Sequence, residues 1–193
     1  MKTYNVYLTG VGGQGIGLLS EILLRAVDHG GLKVKGVDTH GLAQRGGIVV
    51  SHLRVGEHVY SPLISTGCAD IVVSLERHEA LRGMNSFLKD GGVLLYYDAV
   101  WQPLEVRLNL AKNISNQDIA TACLKRNIKD IRVFKPDLED VRMQNIVLLA
   151  HIYKNNLIPG LDISAYKNAM NDLMEEKMLS KNMNLFDAVS SSS

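Results

Sequence analysis

Six residues near the start of the chain, Gly10-Val11-Gly12-Gly13-Gln14-Gly15, carry glycines at the first, third and sixth positions. A β-rich run at residues 5–9 leads into them. A helical pattern at 16–28 follows, with Leu18, Leu19, Ile22, Leu23 and Val27 near helical spacing. Glycine permits a tight turn, lets backbone approach a ligand and allows close packing of helix on strand. The helix start then offers free N–H groups and a partial positive charge, which suit a phosphate. Asp38 ends the next strand-like run, at 32–38, where a dinucleotide site places its ribose-binding carboxylate. Two blander readings stand beside this one: a tight turn that binds nothing, and a strand-end carboxylate that organises the next loop. Gln14 is more polar than a redox dinucleotide loop needs, so the motif points to phosphate or nucleotide without specifying NAD.

A second loop, Asp38-Thr39-His40-Gly41-Leu42-Ala43-Gln44-Arg45-Gly46-Gly47, brackets Gln44 and Arg45 with glycines. The backbone can fold tightly there while both side chains project. A loop after a parallel strand lies at the carboxyl edge of the sheet, where α/β folds place ligands. Arg45 can clamp a carboxylate or phosphate through two parallel hydrogen bonds, or pair locally with Asp38 or Glu76. The candidate cofactor-binding set is Gly10, Gly12, Gly13, Gln14, Gly15, Asp38, Gln44, Arg45, Gly46 and Gly47. No residue is singled out as catalytic and none as a metal ligand. His40, His52, His58 and His78 fit no standard ligand spacing, and there is no G-x-S-x-G elbow. Residues 76–79, Glu-Arg-His-Glu, read as a solvated charge run opening a helix, with Glu76 placed to fix Arg45. Trp101 reads as an interface anchor or a partly buried core aromatic.

The elements that must position these loops alternate between strand and helix. Strand-like runs lie at 48–55, 69–75, 93–97 and 130–134, with 58–64 as a possible return strand that makes a hairpin-like excursion. The first two strands are expected to be parallel through a right-handed crossover. Helical patterns cover 76–88, 115–125 with Ser115 as N-cap, 140–155 and 163–179, and residues 190–193 are expected to fray. This order predicts an α/β, three-layer, Rossmann-like domain with a mostly parallel sheet and extra C-terminal helices. The 193 residues suggest a single domain over 1–193, and 46% hydrophobic with 21% charged residues is ordinary for a globular protein. A formal charge of +1 gives no global field toward nucleic acid or anionic membranes. Cys68 and Cys123 are read as two buried thiols. Two cysteines, unpaired in any Cys-x-x-Cys, argue against a cluster or structural zinc held by this chain alone. With no signal-peptide pattern and no apolar run of about 20 residues, a cytoplasmic location is the expectation.

The two loops together resemble the gamma-type domain of the pyruvate/2-oxoacid:ferredoxin oxidoreductase family. The resemblance rests on Thr9-Gly-Val-Gly-Gly-Gln-Gly-Ile16 and His40-Gly-Leu-Ala-Gln-Arg-Gly-Gly47, and on Val50-Ser51-His52-Leu53-Arg54. It continues through Ser61-Pro62-Leu63-Ile64 and Ala69-Asp70-Ile71-Val72, with Glu76 after it. It covers about the first hundred residues strongly and the last third only in general pattern, where Asn145 begins an apolar helical segment. Within the family the chain looks most like the separate beta subunit of the indolepyruvate branch. The resemblance implies a heteromeric complex that decarboxylates a 2-oxoacid with thiamine diphosphate, passes electrons through [4Fe-4S] clusters to ferredoxin, and transfers the acyl group to coenzyme A. It also implies that thiamine diphosphate and the clusters sit on a larger partner subunit, and that this chain holds neither, is inactive alone and borders the coenzyme A region. The competing expectation, from the first loop and Asp38 alone, is an independent NAD(P)-binding oxidoreductase.

Overall fold

In the computed structural model, residues 3–39, 47–101 and 113–192 are described. Six strands form one sheet: β1 (Tyr4–Val11), β2 (Val34–Thr39), β3 (Ile48–Val55), β4 (Ala69–Ser74), β5 (Leu88–Tyr97) and β6 (Lys129–Val133), in the order β2-β3-β1-β4-β5-β6. β1, β4, β5 and β6 are parallel neighbours, whereas β3 runs antiparallel to both β1 and β2. The sheet is therefore mixed and mostly parallel.

Both faces of the central strands are buried, which explains why those strands read as nearly continuous apolar runs. Along β1 and β4, Val6, Leu8, Ile71 and Val73 face one core, while Tyr7 and Val72 face the other. The larger core is closed by α1 (Ile16–His29) and by three later helices, α4 (Gln144–Lys154), α5 (Ile163–Leu173) and α6 (Glu176–Ser191). The smaller core lies under α2 (Arg77–Phe87) and α3 (Asn116–Lys125), through Ala80, Met84, Ile119 and Cys123.

Several sequence expectations change in detail. β1 and β2 run the same way but are not neighbours, because β3 lies between them. The hairpin-like excursion exists, but its arms are β2 and β3. Residues 58–64 form no strand. They cross the sheet face instead: Arg54 donates to the Ser61 carbonyl at 3.0 Å, and His52 Nδ1 accepts the Ile64 N–H at 3.1 Å. The pattern at 140–155 is a 3-10 turn, Val141–Met143, running into α4. The pattern at 163–179 divides into α5 and α6 at Met174 and Glu175. Both take extended backbone, which turns the chain so that Phe186 and Val189 join the same core as Tyr166. α6 extends to Ser191, two residues into the stretch expected to fray. Cys123 is buried as expected, but Cys68 is exposed. Among the described residues, no helix is long and apolar enough to cross a membrane.

α3 is the most locally determined helix. Ser115 Oγ accepts the Asp118 N–H, and the Asp118 carboxylate accepts the Ser115 N–H at 2.8 Å, a reciprocal capping box. Ser115→Ala should lower global stability by about 1 kcal/mol. Urea unfolding should show the midpoint falling with an unchanged slope. An unaffected midpoint would mean that packing of Ile119 and Cys123 alone sets the helix start.

Candidate functional site

The glycine turn sits at the carboxyl end of β1, between the antiparallel β3 and the parallel β4. Its side chain of consequence is Gln14. Gln14 Oε1 accepts the Val11 N–H at 2.8 Å, and Nε2 donates to the Leu75 carbonyl at 2.7 Å. The residue is 2% exposed. Gln14 is thus engaged in joining the turn to the end of β4, and it is not presented to a ligand as its polarity suggested. Gly12 donates its N–H to the Gly47 carbonyl at 2.8 Å, which brings the end of the second loop against the first.

Gly15 is the N-cap of α1, at φ +85°. Its carbonyl accepts from Leu19 N at 3.1 Å and from Asn145 Nδ2 at 3.3 Å, so a residue of α4 clamps the start of α1. A Cβ on Gly15 would stand 2.6 Å from Asn145 Nδ2, so a side chain there would displace the Asn145 amide as well as strain the backbone. Gly13 is different. Its φ of +102° calls for glycine, but a Cβ added there would meet nothing within 4 Å, and the residue is exposed. Gly10 lies within β1, with Ile16 and Gln14 crowding its Cβ position at 3.0–3.1 Å.

Asp38 lies one residue before the end of β2, but β3 separates it from β1. Two strand spacings put it roughly 10 Å to the side of the glycine turn. Its Oδ1 accepts a hydrogen bond from Ser20 Oγ of α1 at 2.9 Å. Asp38 therefore ties an edge strand to a helix, and the adjacency a ribose-binding carboxylate needs is missing. Gln44, Arg45 and Gly46, with His40, lie outside the described residues.

A second polar cluster sits at the carboxyl ends of β4 and β5. Residues 76–79 are no solvated run, since Glu76, His78 and Glu79 are all buried. Glu76 caps α2 by accepting the Glu79 N–H at 2.9 Å. Its other oxygen lies 2.9 Å from His78 Nδ1 and accepts the Trp101 N–H at 3.3 Å. His78 Nε2 accepts the Ile114 N–H at 3.3 Å. An accepting Nε2 leaves the proton on Nδ1, donated to Glu76. Asp98 takes Arg77 Nε at 2.7 Å, Asn116 Nδ2 at 2.8 Å and Arg132 Nε at 2.7 Å. Burial alone would raise the Asp98 carboxyl, but these donors hold it below the ordinary aspartate value. Glu79 has less company: Arg82 Nε lies 3.7 Å from Oε1, but burial outweighs it and pushes the carboxyl up, and Oε2 has no partner among the described residues. Trp101 is 43% exposed, which leaves it half out of the core.

His52 and His78 are occupied by backbone N–H groups, and burial lowers the His52 pKa. No group of three His, Cys, Asp or Glu side chains suited to a metal occurs among the described residues.

A cleft of about 590 Å³ opens beside the turn. Gly13, Gly15 and Leu18 form one wall, Arg142, Met143 and Asn145 the second, and Lys177, Met178, Lys181 and Asn182 the third. The last two walls come from the C-terminal third, which the loop motifs did not bring into view. The available signal was weak: Asn145 opening an apolar helix, and Lys177 and Lys181 one helical turn apart.

Comparison with known proteins agrees over the whole chain. The family model described as pyruvate ferredoxin/flavodoxin oxidoreductase matches residues 5–191. The chain is 33% identical to indolepyruvate oxidoreductase subunit IorB of Pyrococcus horikoshii, covering 97% of this chain and 94% of that protein. It is 30% identical to the subunit of the same name from Thermococcus kodakarensis, covering 97% and 94%. Among solved structures it is similar to a keto/oxoacid ferredoxin oxidoreductase gamma subunit from Geobacter sulfurreducens, with TM-score 0.65, 22% identity and coverage of 97% and 96%. It is also similar to 2-oxoglutarate:ferredoxin oxidoreductase from Magnetococcus marinus, solved with 2-oxoglutarate, coenzyme A and succinyl-CoA. There the TM-score is 0.71 at 18% identity, over 98% of this chain and 31% of that one.

Two substitutions test the buried polar groups. Gln14→Glu keeps an acceptor for Val11 but, once ionised, sets a carboxylate against the Leu75 carbonyl. Burial raises its folded-state pKa above the ordinary value of about 4.3, and the protonated form can still donate to Leu75. Stability should be retained below about pH 4 and lost as pH rises through the raised folded value. Urea melts across pH should show the fall, and a flat profile would separate Gln14 from the brace. Glu79→Gln removes a carboxylate that burial disfavours. Because the folded pKa is raised, the gain in melting temperature should grow as pH rises from the ordinary glutamate value through the raised folded one, and vanish where Glu79 is protonated both folded and unfolded. An equal gain at every pH would point to altered packing.

Proposed function

This chain belongs to the pyruvate ferredoxin/flavodoxin oxidoreductase family, as a gamma-type subunit, and on that premise we propose that it is the small subunit of an indolepyruvate:ferredoxin oxidoreductase. The carrying observation is the family match over residues 5–191, together with near-full-length relatives named indolepyruvate oxidoreductase subunit. In the proposed reaction a 2-oxoacid loses its carboxyl carbon as carbon dioxide. An electron pair leaves to ferredoxin, and the remaining acyl group forms a thioester with coenzyme A, whose thiol proton is released.

Thiamine diphosphate and [4Fe-4S] clusters supply the carbanion and electron-transfer chemistry in this reading, and both are assigned to a larger partner subunit. Four thiolates hold a typical cluster, and this chain has two cysteines, Cys68 exposed and Cys123 buried beside Met84. The chain, taken as a single gamma-type domain over 1–193, docks on that partner and borders the coenzyme A region. Its turn amides would receive a coenzyme A phosphate. Gly10, Gly12, Gly13 and Gly15 shape the turn, Gln14 braces it, and Asp38 holds the end of β2. Gln44 and Arg45, flanked by Gly46 and Gly47, would supply a polar clamp from the second loop.

Affinity capture from native cells should recover the chain with a stoichiometric, larger thiamine- and iron-containing protein. A stable free subunit with no such companion would overturn the reading. In the reconstituted complex, Arg45→Lys keeps charge but loses the bidentate fork, so kcat/KM for coenzyme A should fall by on the order of 1–3 kcal/mol with assembly intact. Unchanged kinetics would remove Arg45 from the coenzyme A region. The NAD(P) alternative predicts micromolar binding of a reduced nicotinamide by the isolated chain. The strand between β1 and Asp38 speaks against it, and a fluorescence titration with NADH and NADPH should be flat.

A further inference from the structure

The sheet ends in two edge strands, β2 and β6. On β6 the direction of every backbone group follows from one hydrogen bond. The Val133 carbonyl accepts the Asp98 N–H at 2.7 Å, so it faces β5. In a strand, the N–H and C=O of one residue point to the same side, and alternate residues point to opposite sides. Lys129, Ile131 and Val133 therefore bond to β5, in the register that runs from Val93↔Lys129 to Tyr97↔Val133. Asp130 and Arg132 turn their N–H and C=O groups outward, and these groups meet no partner among the described residues.

The side chains of these two residues share a face. Leu94 and Tyr96, opposite them on β5, belong to the smaller core. Both Asp130 and Arg132 are exposed. Asp130 has no ion pair or hydrogen bond among the described residues. Arg132 donates Nε to Asp98 at 2.7 Å, which leaves its two Nη groups uncommitted among those residues.

Charge on an edge strand usually repels a second strand. The order Asp130-Ile131-Arg132 does the reverse for one geometry. Two copies of β6, laid antiparallel about a two-fold axis at Ile131, place Asp130 opposite Arg132 of the second copy and Arg132 opposite its Asp130. These are the residues whose backbone groups point outward, so each pair closes both of its N–H···O=C bonds. Moving the axis one residue along the strand sets Asp130 against Asp130, or Arg132 against Arg132, so a single register is favoured. The two Ile131 side chains then meet on the other face, at the closely spaced position of the ladder, with Cα atoms roughly 4.5 Å apart. Ile131 is only half-buried in the single chain. Phe134, 59% exposed, directly follows the strand and adds apolar surface beside it.

The other edge does not repeat this pattern. Gly56 N donates to the Lys33 carbonyl at 2.9 Å, so Val34, Gly36 and Asp38 face outward on β2. No pairing of two copies sets opposite charges together among these three, and Asp38 is engaged with Ser20.

We propose that β6 is a self-association edge, through which two copies of this chain pair antiparallel about a two-fold axis at Ile131, with Asp130 and Arg132 joined across the axis on one face and Ile131 packed on the other. The occupant is a second copy, because the charge order of the strand is its own complement. The proposal is independent of the oxidoreductase reading. A strand of five residues makes a contact smaller than a standard interface, so pairing should depend on concentration and weaken with salt.

Sedimentation of the full chain from micromolar to millimolar concentration should show a reversible monomer–dimer equilibrium. Amide hydrogen exchange at 130 and 132 should slow as the dimer forms. Asp130→Arg, at an exposed position, should raise the dimer dissociation constant at least tenfold with an unchanged melting temperature. Arg132→Asp should do the same; it also loses the contact to Asp98, so its melting temperature is measured alongside. The decisive sample is an equimolar mixture of these two variants. Each alone sets like charges across the axis, whereas one copy of each restores both opposite-charge pairs, so a heterodimer should form. If Arg132→Asp fails to fold, Asp130→Pro decides: it removes an outward N–H without breaking a bond to β5, and should abolish pairing in a folded chain. A chain that stays monomeric at millimolar concentration would overturn the proposal. So would a dimer that Asp130→Arg or Asp130→Pro leaves intact, or a mixture of two folded variants that stays monomeric. Protection of the 130 and 132 amides only in a complex holding one copy of this chain would assign the edge to an extended segment of a partner, and would overturn it as well.

Discussion

The glycine turn depends on the amide of Gln14. An uncapped helix start needs its first N–H groups exposed, so side chains cannot hold it from the solvent side. The chain holds it from below: Gln14 joins Val11 to Leu75, and Asn145 reaches the Gly15 carbonyl from α4. One buried side chain thus links the end of β1, the turn and the end of β4. A clamp from the C-terminal helices presses on the same turn. Its glycines answer different demands, since Gly15 must give way to Asn145 whereas Gly13 needs only its positive φ. The spacing of the motif is the visible result of a three-way junction.

What the sequence made legible was local. The apolar runs of β1 and β4, glycines at element ends and the Ser115 cap all act within a few residues, and each located its element to within a residue or two. Pairing was less accessible because it depends on distant contacts. Nothing near residue 48 says that β3 will enter between β1 and β2, yet that one choice moves Asp38 away from the glycine turn. The carboxylate was identified in the right element and at the right end, and its role changed because its neighbour did.

Charged residue types misled in a similar way. Glu76, His78 and Glu79 look solvated in sequence, because burial of such groups is rare without partners. For Glu76 and His78 the partners are backbone amides that lie 25 and 36 residues away in the chain, at Trp101 and Ile114. The C-terminal wall of the cleft was hidden for the converse reason. Lys177, Lys181 and Asn182 are ordinary helix-surface residues by spacing, and only the packing of α6 beside α1 gives them a common neighbour.

The two polar clusters divide the carboxyl edge into regions of different character. Around Asp98, three side-chain donors and a depressed carboxyl pKa leave little unmet hydrogen bonding, so the ends of β5 and β6 are locked together. Around the glycine turn, the first amides of α1 and α6 have no side-chain cap. A fold that satisfied every group would have capped α1 and α6 as it capped α2, α3 and α5. Leaving those two ends open forgoes about 1 kcal/mol at each helix. Side-chain pairing on the Asp98 side and uncapped amides on the Gly13 side therefore divide the work at this edge: the first keeps the strand ends registered, and the second is held in place from below by Gln14 and Asn145.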